Sequence, residues 1–365
     1  MLFVLGLMAA LWALGALLKA PVRARLAMIG VLYAGVLAVQ FTLPEDAALR
    51  EATGDGPLPW LVLGGVGVLV AGYGTLLGGL RRRAAPTAAQ TGPGAGGAGQ
   101  GAFGEVELER YARHIVLREL GGPGQRRLKA ARVLVIGAGG LGSPALLYLA
   151  AAGVGTLGVI DDDVVENANL QRQIIHADAR IGMPKVFSAE AAITALNPFV
   201  TVRPYRRRLT DDIAAELFAD YDLILDGTDN FDTRYLANRA AVAAGKPLVA
   251  AAITQWEGQI AVWHPAAGGP CLQCVFPEPP APGLAPSCAE AGVVAPLPGI
   301  LGTMMAAEAV KLITGAGTPL IGRMLIHDAL EAETRIIALR PRADCPVCAE
   351  VRARAPGAPP QGVSA

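Results

Sequence analysis

Three uncharged, apolar runs open the chain: Met1–Leu18, Leu26–Pro44 and Gly56–Leu80. Each is about long enough to cross a hydrocarbon core of about 30 Å at 1.5 Å per residue. The pattern therefore predicts a membrane anchor of three transmembrane helices over residues 1–83, the alternative being a buried hydrophobic bundle. A signal peptide fits poorly, because no Lys or Arg precedes the first run and two more runs follow it. Lys19, Arg23 and Arg25 separate the first two runs, and Arg81, Arg82 and Arg83 follow the third. Between the second and third lie Glu45, Asp46, Glu51 and Asp55 against Arg50 alone. Basic flanks stay cytoplasmic. Everything after Arg83 is thus expected on the cytoplasmic side of the inner membrane.

Residues 84–104 are nearly all Ala, Gly, Thr, Gln and Pro. Such a segment cannot bury enough apolar surface to offset its ordering entropy and reads as a flexible linker. From Glu105 the periodicity changes. A basic helix is predicted over Glu105–Leu120, then the β-branched strand Arg132–Ile136, a helix over Ser143–Ala152, and a strand over Thr156–Ile160. Further strands are predicted at Val200–Pro204, Asp222–Leu225, Pro247–Ala251 and Gln259–Trp263. Strands alternating with helices define an α/β, Rossmann-like, doubly wound and mainly parallel sheet, spanning residues 105–348. A disordered tail, 349–365, is expected to follow.

Composition changes this picture in two places. Lys and Arg total 31 and Asp and Glu total 31, so no global basic field points to nucleic acid, and no nucleic-acid partner is expected. Of the five cysteines, four form two C-x-x-C pairs, Cys271/Cys274 and Cys345/Cys348. Two such pairs supply four thiolates, the closed tetrahedral set of a structural Zn2+ site. A redox C-x-x-C fits less well, since neither pair opens a thioredoxin-like βαβ unit. Cys288 stands alone after a Pro-rich stretch, where it reads as a loop cysteine unless a nearby cation lowers its pKa.

Gly137-Ala-Gly139-Gly140-Leu-Gly142 lies between a strand and a helix, as a phosphate-cradling loop requires, and Asp161 ends the next strand, where a carboxylate takes ribose hydroxyls. This much fits a nicotinamide-dependent oxidoreductase as readily as an ATP enzyme. Arg172, Lys185 and Asp229 separate the two. Cleaving a phosphoanhydride requires cations at the phosphates and an acid for Mg2+. In isolation, Arg172 and Lys185 each read as a solvated surface charge. The histidines form no ligand pattern: His114 stands beside Arg113 and was a candidate for phosphate contact, while His176, His264 and His327 read as structural.

Several motifs occur in one order: Arg110-Tyr-Ala-Arg113-His-Ile115, the Gly137–Gly142 loop, Asp161-Asp-Asp163, Asn169-Leu-Gln-Arg-Gln173, Gly182-Met-Pro-Lys185, Asp226-Gly-Thr-Asp-Asn230, Glu257-Gly-Gln-Ile260, the two cysteine pairs and Cys288-Ala-Glu-Ala-Gly292. In this the chain resembles the MoeB/ThiF/HesA group of ubiquitin-activating-enzyme-like proteins, with the molybdopterin-synthase adenylyltransferases nearest. The resemblance implies ATP, Mg2+ and Zn2+ as cofactors. It places the nucleotide against Gly137, Gly139, Gly140 and Gly142, the ribose at Asp161 with Asp163 nearby, and the triphosphate at Asn169, Arg172 and Lys185. Asp229 would hold magnesium, with Asn230 alongside. Arg113 would reach the neighbouring subunit's site in a homodimer, and Cys288 would be a further catalytic thiol. The implied reaction is adenylylation of the C-terminal glycine carboxylate of a small ubiquitin-like sulfur-carrier protein ending in Gly-Gly. The carrier is that of molybdopterin synthase or, alternatively, of the thiamine pathway. The persulfide sulfur donor is expected to be a separate protein. A membrane scaffold with a decayed nucleotide site is a third reading, disfavoured because every charged position is occupied.

Overall fold

The computed structural model describes residues 2–18, 21–44, 46–54, 56–67, 69, 73, 103–280 and 291–354. The chain divides into two compact units, residues 1–96 and 97–365.

In the first unit the helices are α1 (Leu2–Leu17), α2 (Val22–Thr42), α3 (Ala48–Thr53) and α4 (Leu58–Gly67). Val4, Val36 and Trp60 form its buried centre, with Leu5, Met8, Tyr33 and Leu37 packed around them. The Tyr33 hydroxyl donates to the Trp60 carbonyl at 2.7 Å. Gln40 Nε2 donates to the carbonyls of Arg50 and Gly54, tying the end of α3 to α2. Three spans are not supported. At 16 residues, α1 rises only about 24 Å, short of the core thickness. Among the described residues of this unit, α2, over Ala24–Thr42, alone has the length and apolar composition to cross. The third run is helical over Leu58–Gly67, and most of its remainder, with Arg81–Arg83 and the linker as far as residue 102, lies outside the described residues.

The second unit is built on an eight-stranded sheet ordered β3-β2-β1-β4-β5-β6-β7-β8. The strands are β1 (Arg132–Ile136), β2 (Thr156–Ile160), β3 (Thr201–Tyr205), β4 (Leu223–Asp226), β5 (Leu248–Ile253), β6 (Glu257–Trp263), β7 (Arg323–Asp328) and β8 (Glu333–Ala338). β1–β5 pair with one another in parallel, and the pairings β5–β6, β6–β7 and β7–β8 are antiparallel. Alternation within the strands explains the two covered faces. Val133, Val135, Leu157, Val159, Leu223 and Leu225 point to one core, and Leu134, Ile136, Ile160 and Ile224 to the other. A parallel sheet buried on both sides needs this all-apolar character.

The first core is covered by α7 (Gly142–Ala152), α8 (Lys185–Leu196) and α12 (Pro296–Thr314), the second by α9 (Asp211–Ala219) and α10 (Phe231–Ala243). α12 passes the length test for a membrane span, but half of it is buried and it packs against α7, β5 and β6 as a core helix. The single helix expected over Glu105–Leu120 is two helices, α5 (Glu105–Ile115) and α6 (Gly121–Ala130). Leu120 turns into the core and Gly121 takes φ +60°, which redirects the chain. Two short helices complete the unit, α11 (Leu272–Val275) and α13 (Ala349–Ala353), the latter within the segment expected to be a tail.

Candidate active site

Strand order reverses between β1 and β4, and the crevice outside their carboxyl ends is where an open α/β sheet binds ligands. The chain turns sharply at both ends. Gly137 takes φ +89°, a conformation open to glycine, and its N–H donates to the Ile160 carbonyl at 2.9 Å. Gly142 starts α7, and a Cβ there would lie 1.9 Å from the Gly137 carbonyl oxygen, so only glycine lets the helix start this close to the loop. The amino end of α7 consequently opens on a cavity of about 780 Å³.

Nine of the residues singled out from sequence line that cavity: Gly137, Gly139, Gly140, Asp161, Asp163, Arg172, Lys185, Asp229 and Asn230. Asp161 receives the Ala138 and Asp163 N–H groups, each at 2.8 Å. These contacts join the glycine loop to the end of β2. Burial pushes the Asp161 carboxyl above its ordinary range, with Lys185 opposing. Lys185 is not a solvated surface charge. It is 5% exposed at the start of α8, and its Nζ lies 2.7 Å from Asp163 Oδ2. Arg172 is half-buried, its Nη1 donating to the Ala168 carbonyl at 3.1 Å. Asp229 is exposed at the rim. Asn230 caps α10, its Oδ1 accepting the Thr233 N–H at 2.9 Å. That bond satisfies one orphan donor of the helix end.

Other expected residues sit elsewhere. Gly142 lies beneath the loop. Asn169 reaches the site through Gln173, whose Nε2 donates to its Oδ1 at 3.2 Å. Arg113 is exposed on α5 and does not line the cavity of its own chain. His114 pairs with Gln125 at 3.2 Å, a structural contact. Cys288 lies outside the described residues.

Sequence reading gave no role to a further set. Arg207, Arg208, Arg234 and Tyr235, and Gln259 of the Glu257–Ile260 motif, also line the cavity. Buried Asp226, at the end of β4, accepts the Thr228 N–H and hydroxyl, and Arg234 Nη2 donates to the Thr228 carbonyl at 2.5 Å. Burial pushes the Asp226 carboxyl up, against the pull of Arg234. The run Arg206–Arg208 was a visible signal in the sequence, but only the fold turns two of its members toward the crevice.

His176 supports the loop from below. A carbonyl oxygen can only accept, so Nε2 carries the proton donated to Ala138 O at 2.9 Å, and Nδ1 accepts from the Ser188 hydroxyl at 2.9 Å. Burial holds its pKa below the usual 6.5, with Lys185 and Arg180 adding to that. Below 6.5 the unfolded chain therefore binds the proton more readily than the folded one. The neutral ring stabilises the fold fully above that value, and the contribution is lost as pH falls through the folded pKa. Asp161 and Asp226, with raised pKa, slope the other way. The expected result is a difference of slopes: between about pH 7 and about pH 5, wild type loses more melting temperature than His176→Gln. Parallel slopes in a thermal melt would contradict the assignment.

The four paired cysteines form a separate cluster. Cys271, Cys345 and Cys348 are buried, and all four sulfurs lie within 4.8 Å of one another. The pairs Cys271–Cys345 and Cys274–Cys348 are 3.6 and 3.4 Å apart. Four converging thiols, three buried and Cys274 half-buried, fit a structural metal site, and tetrahedral zinc suits such a donor set.

The sequence model described as "ThiF family" matches residues 111–347. A Thermus thermophilus protein named sulfur carrier protein adenylyltransferase is 51% identical over 248 residues, covering 67% of this chain and 92% of the relative. A Mycobacterium tuberculosis protein named probable adenylyltransferase/sulfurtransferase MoeZ is 52% identical over 253 residues, 68% of this chain and 64% of the relative. Bos taurus adenylyltransferase and sulfurtransferase MOCS3 is 49% identical over 250 residues, 68% of this chain and 55% of the relative. The chain thus spans less than two thirds of the length of these last two. Among solved structures, Escherichia coli MccB with MccA-N7isoASN aligns with TM-score 0.59 at 20% identity, over 69% of this chain and 76% of that one, a likeness of fold. The chain belongs to the ThiF family. Its second unit is an adenylyltransferase of that ubiquitin-activating-enzyme-like class.

Proposed function

We propose that the enzyme adenylylates the C-terminal glycine of a small ubiquitin-like sulfur-carrier protein, ahead of sulfur transfer in molybdenum-cofactor synthesis, with the thiamine-pathway carrier as the alternative. The observation that carries the reading is that buried Lys185 and half-buried Arg172 line one cavity with the glycine loop. A relative of 51% identity named sulfur carrier protein adenylyltransferase, and two of about 50% named adenylyltransferase and sulfurtransferase, support it. The hydride-transfer alternative has no comparable support.

The carrier's carboxylate oxygen would attack the α-phosphorus of ATP, and the bond to the β,γ-pyrophosphate would break. The products are an acyl-adenylate and pyrophosphate. The nucleophile is already an anion, so positioning and charge stabilisation are the main requirements. The amino end of α7 offers N–H groups to phosphate oxygens. Lys185 and Arg172 neutralise the separating α- and β-phosphates, Lys as a point charge and Arg as a planar fork. Asp161 would take the ribose hydroxyls. Asp229 would hold magnesium, which would supply positive charge to offset that of the phosphates. The deciding measurement is ATP–pyrophosphate exchange with a molybdopterin-type and a thiamine-type carrier in parallel, and a carrier lacking its last glycine as control. Exchange no faster than in the carrier-free reaction would sink the proposal.

Arg113 is read as completing the site of a second subunit, a role supported by its exposure on α5 away from its own chain's cavity. Arg113→Ala and Lys185→Ala should each be inactive alone. Mixed dimers should restore roughly a quarter of the sites. Exchange activity that stays absent on mixing would argue against sharing. Residues 1–83 are read as a membrane anchor at the inner membrane, supported by α2 and by the exposed Phe3, Leu17 and Val31. Carbonate-resistant membrane fractionation, lost on deleting residues 1–83, is the expected result; recovery of the full chain in the wash would refute it.

A further inference from the structure

The thiol cluster and the cavity share one short element. α11 has four residues. Cys271, at its cap, and Cys274, within it, belong to the cluster, whereas Leu272, Val275 and the following Phe276 line the cavity. α10 grips this element twice. Oδ1 of fully buried Asn238 accepts the Leu272 N–H at 2.9 Å. The Tyr235 hydroxyl donates to the Phe276 carbonyl at 2.9 Å. The same helix begins at Asn230, beside Asp229 on the cavity rim.

Four residues cannot hold a helix by themselves, because nucleation alone costs more than one turn returns. The shape of α11 must come from its neighbours: the thiols on one side and the two α10 contacts on the other. A metal bound by the thiols fixes α11 and, with it, part of the cavity wall. If the metal, by fixing this wall, changes the affinity of the cavity for a ligand, linkage requires that the ligand change metal affinity by the same factor.

We propose that the thiol cluster and the nucleotide cavity are coupled through α11, with Tyr235 and Asn238 as the positioning residues that transmit the coupling. The proposal rests on the adenylyltransferase reading for what fills the cavity and on zinc as the metal the thiols fit.

The test follows zinc release from the full-length, zinc-loaded protein to a chromogenic chelator, with and without MgATP. Pyrophosphate exchange is measured on the same preparations. MgATP should slow release roughly 3- to 10-fold, the range that one or two neutral hydrogen bonds cover. Tyr235→Phe, which deletes a single oxygen, should bind zinc with wild-type stoichiometry yet lose most of that protection. Asn238→Ala should release zinc faster even without nucleotide. A purely structural role for these residues would not move the nucleotide dependence. Release insensitive to MgATP in a sample that exchanges pyrophosphate would overturn the coupling and leave the function standing. Protection undiminished in Tyr235→Phe would overturn it as well. Protection without exchange would keep the coupling and refute the function, and neither would refute both.

Discussion

Lys185→Ala is expected to lower carrier-dependent pyrophosphate exchange by about 10²–10³-fold, the loss typical when one preorganised charge is removed from a reacting centre. The stability cost should be small by comparison. Lys185 is 5% exposed, but the side chain of its partner, Asp163, is 66% exposed. The freed carboxylate can return to water, unlike the survivor of a fully buried pair. Loss of rate with a nearly unchanged melting temperature is therefore the signature of a catalytic cation. Lys185→Arg should rescue little, because the bulkier planar fork does not fit the buried start of α8. Exchange within a few-fold of wild type in Lys185→Ala would remove the basis for the assignment.

The second large effect is expected at the cysteines. Cys345→Ser should abolish tight zinc binding and loosen the chain from about Arg340 to Ala353, along with α11. Structural zinc in small peptides contributes about 10–16 kcal/mol at neutral pH. Little else buries the segment from Arg340 to Ala353: besides the thiols, Val242 is the one buried residue of its cluster among the described residues, with Val347 and Val351 packed against it. The two cores on the faces of the sheet do not depend on it. The expected pattern is thus local. Limited proteolysis should cut near Arg340 or Arg342 in the variant and in the chelator-treated wild type, while the sheet stays protected. Equal protease resistance with and without metal would show that the thiols do not act as a staple.

Much of this site was readable in the chain. The glycine spacing after a β-branched strand, the acid ending the next strand and the two C-x-x-C pairs are local patterns, each imposed by backbone geometry or ligand count. Lys185 illustrates the limit. Its type and position were visible, but whether it was a solvated charge or a buried one depends on α8 packing against α7 and β2. Arg207 and Arg208 were obscured for the same reason: an arginine run reads as exposed, and these residues are exposed, yet β3 directs them toward the crevice. β7 and β8 were not anticipated. β8 is exposed along its whole length and lacks the alternation that marks a half-buried strand, so only its pairing with β7 makes it one. The N-terminal runs failed differently. Apolar length was legible, but α1 ends too early to span, and most of the third run beyond Gly67 lies outside the described residues.

By itself the sequence determined the class of fold, the glycine loop at the strand–helix junction and the pairing of the cysteines, because each follows from short-range constraints: side-chain period, glycine's access to positive φ, and the fixed spacing within a C-x-x-C pair. Only the tertiary structure decided which charges face one cavity, that Arg113 stays out of it, and that α11 belongs at once to the thiols and to the cavity wall. Burial and distance arise from contacts between segments far apart in the chain, and no local pattern encodes them.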